Sequence, residues 1–180
     1  MNICSITFFI LKVTTMKGKT CCFSGHRNIP ENEYIELKKA LRELVGIFAK
    51  RGIIYFGCGG ARGFDLLAAE TVLEMKKYYP EIKLIMVYPF RNQTQFWNFR
   101  DTETYNSIKK QCDKQVYISE QYTSNCMIMR NKHLVNNSRY CICYFTGVNS
   151  GTEYTVNYAA RHGLTIINLA RNLNQPFDII

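Results

Sequence analysis

The chain has 180 residues, of which 47% are hydrophobic and 13% aromatic, and it carries a formal net charge of +9. This length suits one domain, and the apolar content is sufficient for a packed core, which excludes a disordered or fibrous protein. The positive charge favours anionic partners such as nucleotides or nucleic acid. Because the basic residues are scattered, a merely soluble basic surface stays the alternative.

The first fifteen residues, MNICSITFFILKVTT, are predicted to form an extension outside the domain. Their apolar run has no basic segment before it and no cleavage signal after it, and it is shorter than the ~20 residues of a membrane helix. Met16 directly precedes the first convincing strand. We therefore expect Met16 to be the functional start, residues 16–180 to form the domain, and no membrane partner.

Eight cysteines are present, but none has the spacing of a metal site or of a C-x-x-C pair. The sequence therefore predicts buried thiols in a cytoplasmic protein without a metal.

From Met16 onward, short apolar runs alternate with helical patterns. Strands are predicted at residues 20–25, 82–90, 114–119, 139–145 and 164–170. Residues 53–63 are predicted to form a further strand, the second in the chain, and the glycine loop that follows it. Helices are predicted at 30–52, 64–80, 94–112, roughly 125–138 and 151–163. This alternation predicts an α/β fold, a single Rossmann-like, doubly wound and mainly parallel sheet with helices on both faces. In such sheets, ligands bind beyond the carboxyl ends of the strands, where the strand order reverses.

Three loops at that edge carry features of an anion site. They read SGHR after the first strand, GCGGARGFD after the second and TGVNSGTEY after the fifth. Glycines let backbone amides approach a ligand, and the helix that follows adds the positive end of its dipole, which together favour phosphate binding. Neither the G-x-G-x-x-G nor the P-loop pattern is complete, and a tight strand-to-helix turn is the alternative.

The predicted ligand-binding residues come from these loops and from the fourth helix. They are Ser24, Gly25, His26, Arg27, Gly59, Gly60, Gly63, Asp65, Arg130, Asn131, Ser150, Gly151, Thr152 and Glu153. Arg27 could clamp a phosphate, and Asp65 or Glu153 could accept ribose hydroxyls or simply favour a helix start. His26 could be a phosphate donor, an acid or base, or a cap on the local backbone.

Several segments resemble, in order, the YpsA-like family of the SLOG superfamily. They are CFSGHR, CGGARGFDLLAAE, QFW, MRNKHLVNNSRYCICYF and SGTEYTVNYAA, within Thr20 to Leu169. The superfamily includes the LOG (lysine-decarboxylase-like) nucleotide phosphoribohydrolases and the Rossmann domain of DNA-processing protein A. The resemblance implies a Rossmann-like fold, a nucleotide-derived ligand and a homodimer.

The resemblance also bears on catalysis, because Thr155 occupies the position of the LOG catalytic glutamate. A threonine cannot act as a general base near neutral pH. The catalytic residues stay unassigned, with Glu153, Asp65 and Arg130 as candidates. If the protein is an enzyme, the resemblance implies hydrolysis of a nucleotide N-glycosidic or phosphoribosyl bond.

The sequence therefore predicts binding of a nucleoside monophosphate or an ADP-ribose type of compound, by a sensor or a nucleotide-processing protein, with no certain cofactor. A DNA-processing-like nucleic-acid binder and a regulatory interaction protein with a vestigial site are the alternatives. Phe96, Trp97 and Phe99 predict an exposed apolar surface that supports dimerisation. Phe96 and Trp97 could instead cover an aromatic base.

Overall fold

The computed structural model describes residues 16–147 and 150–172, so the predicted extension 1–15 lies outside the described residues. The strands are β1 Thr20–Gly25, β2 Tyr55–Cys58, β3 Lys83–Tyr88, β4 Lys114–Tyr117, β5 Tyr140–Tyr144 and β6 Thr165–Asn168. The helices are α1 Glu31–Lys50, α2 Phe64–Met75, α3 Phe99–Gln111, α4 Cys126–Asn136, α5 Gly151–Arg161 and α6 Leu169–Asn172. Within these ranges no helix is long and apolar enough to cross a membrane.

The six strands form one sheet in the order β4-β3-β2-β1-β5-β6, and every pairing is parallel. This confirms the predicted Rossmann-like α/β fold. The chain runs outward from β1 to β4 and then returns to add β5 on the other side of β1. The strand order therefore reverses between β1 and β5, where doubly wound sheets bind their ligands.

The core consists of two clusters, one on each face of the sheet. Phe23 of β1 packs on the face covered by α1 and α2, where its ring stacks 6.1 Å from that of Phe56. The neighbouring Cys22 packs on the other face with Leu134 of α4 and Ala159 of α5. Successive side chains of a strand point to opposite faces, so both faces of β1 are buried, which explains its continuous apolar sequence.

The cysteines serve this core as small apolar side chains. Those within the described ranges are all free thiols, and every one except Cys112 is buried. Burial raises the pKa of the Cys21 and Cys58 thiols well above their ordinary value. Buried thiols of this kind act as small packing groups, and the sequence predicts their burial.

The apolar residues of helix α1 lie on one face of the helix. Leu37, Leu41, Leu44 and Phe48 recur at intervals of three or four residues and are buried against the sheet. The helix begins directly after Pro30, and Gly52 follows its end with a φ of +81°. A left-handed residue at this point is the usual way to stop a helix.

Two predicted boundaries are wrong by several residues. The third helix begins at Phe99 instead of residue 94, because the side chain of Asn98 caps it by accepting a hydrogen bond of 2.8 Å from the Asp101 amide. Residues 91–96 form turns. The second helix ends at Met75 rather than at residue 80. Just after Met75, the amide of Lys77 donates a hydrogen bond to the carbonyl of Glu74, which forms a tighter turn.

Asp113 ties the far half of the sheet together from the loop between α3 and β4. Its carboxylate accepts hydrogen bonds from the Lys76 ammonium at 2.7 and 2.8 Å and from the Leu84 amide at 2.8 Å. Lys83 lies 3.5 Å away. Burial alone would raise the pKa of Asp113, but these three donors hold it below its ordinary value.

We predict that Asp113→Asn lowers the free energy of unfolding by about 1.5 kcal/mol at pH 7, the scale of a hydrogen bond to a charged group. A depressed pKa means that the carboxylate stabilises the fold above about pH 4 and loses this effect as the pH falls through its folded-state pKa. The deficit of the variant, measured by urea unfolding, should therefore shrink towards pH 3. Glu120→Gln, which breaks an exposed pair with Arg91, is the control and should change little. A deficit independent of pH would contradict the assignment.

Candidate functional site

A cleft opens at the carboxyl ends of β1 and β5, where the strand order reverses. The part of it that is lined by the buried Asp65 and by the start of α5, here called the inner compartment, has a volume of about 230 Å³. Most of the predicted ligand-binding residues line it, namely Ser24, Gly25, His26, Arg27, Asp65, Arg130, Asn131, Ser150, Gly151 and Thr152. Phe23, Ala61 and Met127 complete the lining. Gly59, Gly60, Gly63 and Glu153 are not among the lining residues.

A buried ion pair forms the floor of the inner compartment. The guanidinium Nη1 of Arg130 lies 3.4 Å from Oδ2 of Asp65, and their side chains are 9% and 7% exposed. The same carboxylate oxygen accepts a hydrogen bond of 3.2 Å from the Ala61 amide. Burial raises the pKa of Asp65, and the nearby charges of Arg130 and Arg27 oppose this shift.

Arg130 keeps hydrogen-bonding capacity that the fold does not use. Among the described residues, its buried Nε has no hydrogen-bond partner. A guanidinium carries five N–H donors, and a buried donor without an acceptor is costly. Arg130 is therefore suited to receive an anionic acceptor that enters the compartment.

Two of the glycines after β2 leave room for groups that pack against them. A Cβ on Gly59 would overlap the guanidinium of Arg130, so only glycine leaves room for the buried ion pair. Gly63 has a φ of +72°, and the carbonyls of His26 and Arg27 occupy the space that its side chain would need. The ligand role of Gly59, Gly60 and Gly63 stays a prediction, and these three glycines do not line the inner compartment.

The start of α2 is likewise occupied by groups of the protein itself. The amide of Phe64 donates to the carbonyl of His26 at 3.1 Å, and the amide of Ala61 donates to Asp65. The carboxylate of Asp65 thus stands where the sequence predicts a bound phosphate. The negative charge of Asp65 interacts with the positive end of the α2 helix dipole, which would otherwise favour an anionic ligand.

The start of α5 differs, because its first residues line the inner compartment. Ser150 caps the helix by accepting a hydrogen bond of 3.3 Å from the Glu153 amide. The amides of Gly151 and Thr152, in the first turn, have no carbonyl within the helix to bond. Together with the positive end of the helix dipole, they favour an anion at this point.

Thr155, at the position of the LOG glutamate, is buried one turn into α5. Its hydroxyl donates to the carbonyl of Gly151 at 2.8 Å and accepts from the amide group of Asn131 at 2.7 Å. Thr155 therefore joins α4 to the start of α5 and offers no base. The catalytic roles considered for Glu153, Asp65 and Arg130 stay predictions. Glu153 is not among the lining residues, and Asp65 and Arg130 are paired with each other.

His26 links the loops that follow β1 and β5. Its Nε2 accepts a hydrogen bond of 3.1 Å from the Thr146 amide, so the ring carries its proton on Nδ1 when neutral. The ring also lies 6.0 Å from that of Tyr144 and 5.9 Å from that of Phe145. Of the roles predicted for His26, this geometry favours the local structural one.

A second part of the cleft, here called the outer compartment, adjoins the first and has a volume of about 430 Å³. Aromatic rings, carboxamides and arginines line it, namely Phe90, Phe96, Trp97, Tyr122, Asn92, Gln93, Gln95, Arg62, Arg27 and Arg130, with Ala61 and Met127. Arg27, Ala61, Met127 and Arg130 line both compartments. The sequence prediction missed Met127, although its spacing from Arg130 and Asn131 places all three on one helix face.

The aromatic residues predicted to be exposed differ among themselves. Trp97 is half-buried, with its ring 5.5 Å from that of Tyr105, whereas Phe96 and Phe99 are 89% and 78% exposed. The homodimer predicted from these three residues stays a prediction. Across the described ranges, no three His, Cys, Asp or Glu side chains group in a way that could hold a metal ion.

Comparison with known proteins places this geometry in a family context. Residues 22–167 match the family model YpsA, described as the YspA SLOG family. A UPF0398 protein of Brevibacillus brevis is 31% identical over 118 residues, which are 64% of this chain and 63% of that protein. The SPbeta prophage-derived protein YoqJ of Bacillus subtilis is 26% identical over 155 residues, covering 78% of this chain and 91% of YoqJ. The chain thus spans less than two thirds of the length of the Brevibacillus relative.

Among solved structures, DNA processing protein A from Helicobacter pylori, whose structure concerns its single-stranded DNA binding mode, has a similar fold. The TM-score is 0.63 at 20% identity, and the match covers 91% of this chain and 70% of that one. At 20% identity, this likeness shows a similar fold and nothing more specific.

We predict that Gly59→Ala lowers the free energy of unfolding by about 3–5 kcal/mol, because the new methyl group displaces Arg130 and leaves Asp65 buried without its partner. Gly18→Ala is the matched control, since nothing lies within 4 Å of a Cβ at that glycine. Thermal unfolding of both variants measures the effect. Equal midpoints would show that the ion pair does not depend on the gap at Gly59.

Proposed function

The chain belongs to the YspA SLOG family, and on that premise we propose that it binds a nucleotide or nucleotide-sugar derivative through an anionic group in the inner compartment. The observation that carries this proposal is the buried guanidinium of Arg130, whose Nε lacks an acceptor within the described residues. A phosphate or diphosphate would provide that acceptor.

Three groups that face one another support an anion at this point. Arg130 is buried, Arg27 is exposed, and the first turn of α5 contributes the amides of Gly151 and Thr152. Charge-assisted hydrogen bonds from guanidinium and amide groups are the usual means of holding phosphate. The inner and outer compartments together reach the size of ordinary ligand pockets.

The chemistry favours binding over turnover. Hydrolysis of an N-glycosidic bond needs a carboxylate near the developing ribosyl cation or a base that activates water. Among the described residues, Asp65 is the one carboxylate that lines the inner compartment, and it is paired with Arg130. Thr155 is held between Asn131 and Gly151. We therefore propose a sensor or carrier role, with hydrolysis slow or absent.

A DNA-processing-like function is the second candidate. The net charge of +9 and the likeness to the Helicobacter pylori protein favour it. Binding of single-stranded oligonucleotides that falls steeply with salt concentration would support this candidate. Saturable thermal stabilisation by AMP or ADP-ribose, without comparable oligonucleotide binding, would support the first.

We predict that Arg27→Ala weakens binding of AMP or ADP-ribose by about 1.5–3 kcal/mol, the scale of a charge-assisted hydrogen bond. Arg27 is exposed, so the melting temperature without ligand should not change. Calorimetric titration measures the affinity, and Arg100→Ala, an exposed arginine outside both compartments, is the control. Unchanged affinity together with lost stability would assign Arg27 a structural role.

We also predict that the purified protein releases little or no free base from AMP or CMP. Chromatographic detection of adenine or cytosine provides the measurement. Turnover above ~1 per second, an ordinary enzyme rate, would overturn the proposed binding role. In that case Glu153→Gln would test whether Glu153 reaches the bound nucleotide after all.

A further inference from the structure

We infer that the outer compartment is a base-binding subsite, so that the ligand spans the cleft with its phosphate in the inner compartment and its base in the outer one. This inference rests on the proposed function. The outer compartment is a second, chemically different part of the site, formed mainly by residues 90–97 and Tyr122.

The walls of the outer compartment carry the flat apolar surfaces that a base requires. Phe90 and Tyr122 meet edge to face with their centroids 5.5 Å apart, and Trp97 is held against Tyr105 at 5.5 Å. Phe96, which also lines the compartment, is 89% exposed. Aromatic rings that remain exposed around a concave surface are typical of ligand sites, and stacking on such rings binds nucleobases without strict sequence preference.

Polar groups accompany these rings in the pattern that nucleobase edges need. The carboxamides of Asn92 and Gln95 line the compartment and each offers both donors and an acceptor. The guanidinium of Arg62 lies 5.9 Å from the centroid of Trp97. A planar guanidinium beside an indole can continue the stack onto a bound base.

The two compartments share part of their lining, which sets the order of groups along the proposed ligand. Arg27, Ala61, Met127 and Arg130 line both of them, so the two arginines stand at the junction. A phosphate held by Arg130 and the start of α5 would leave the attached ribose at this junction. The base then enters the outer compartment, where rings and carboxamides replace the charged groups.

The single tryptophan of the chain gives a direct probe, because Trp97 lines only the outer compartment. Inorganic phosphate, ribose 5-phosphate and AMP would be titrated by calorimetry and by tryptophan fluorescence. We expect AMP to bind at least about tenfold more tightly than ribose 5-phosphate, the scale of base–aromatic stacking. AMP should also quench Trp97, whereas phosphate and ribose 5-phosphate should leave its emission unchanged.

A matched pair of variants tests the residues. Phe96 and Phe99 are both exposed phenylalanines, but only Phe96 lines the compartment. Phe96→Ala should weaken AMP about tenfold and leave ribose 5-phosphate unchanged, and Phe99→Ala should alter neither affinity. Melting temperatures without ligand should match the parent for both variants.

The outcomes separate this inference from the function on which it rests. Equal affinities for AMP and ribose 5-phosphate, with unchanged Trp97 emission, would overturn the base subsite while the phosphate site stands. Equal losses of AMP affinity in Phe96→Ala and Phe99→Ala would also overturn it. Absence of saturable binding by all three probes would overturn both the proposed function and the subsite.

Discussion

The buried ion pair between Arg130 and Asp65 is the interaction on which the carboxyl edge of the sheet depends. It connects α4, from the returning half of the chain, to α2, from the outgoing half, across the point where the strand order reverses. Taking two charges out of water costs several kcal/mol per ion, which their attraction only partly offsets. Because a buried ion pair of this kind adds little to stability, its position is consistent with the anion site proposed above it.

The sequence predicts the fold and most of the inner compartment because both depend on local patterns. The alternation of strands and helices defines the parallel sheet, and the rule for parallel sheets then brings SGHR and SGT to one edge. The role of Gly59 was not predictable in this way. Its neighbour in space is Arg130, which lies far along the chain, and no spacing reveals which side chain fills the gap. The outer compartment was predicted only in part, through Phe96 and Trp97, since residues 94–96 form turns where the pattern indicates the start of a helix.

The groups that look reactive in the sequence are largely engaged in holding the site in shape. His26 accepts a hydrogen bond from the Thr146 amide, and Thr155 joins Asn131 to the start of α5. Asp65 accepts a hydrogen bond from the Ala61 amide just before α2. Each of these contacts fixes an element that borders the cleft. The result is a cavity that is lined by Arg27 and Arg130 and bordered by elements held through hydrogen bonds, a geometry that suits recognition better than bond cleavage.

The position of β1 at the centre of the sheet has a consequence for biosynthesis. Cys21 of β1 pairs with Tyr140 of β5, so one side of β1 stays unpaired until more than a hundred further residues have left the ribosome. Until β5 is available, β1 is an edge strand. The backbone amides and carbonyls on its β5 side are then open to pairing with another strand. Closing such a distant pairing costs loop entropy and slows folding. Because the cleft lies at the carboxyl ends of β1 and β5, it cannot be complete before these two strands have paired.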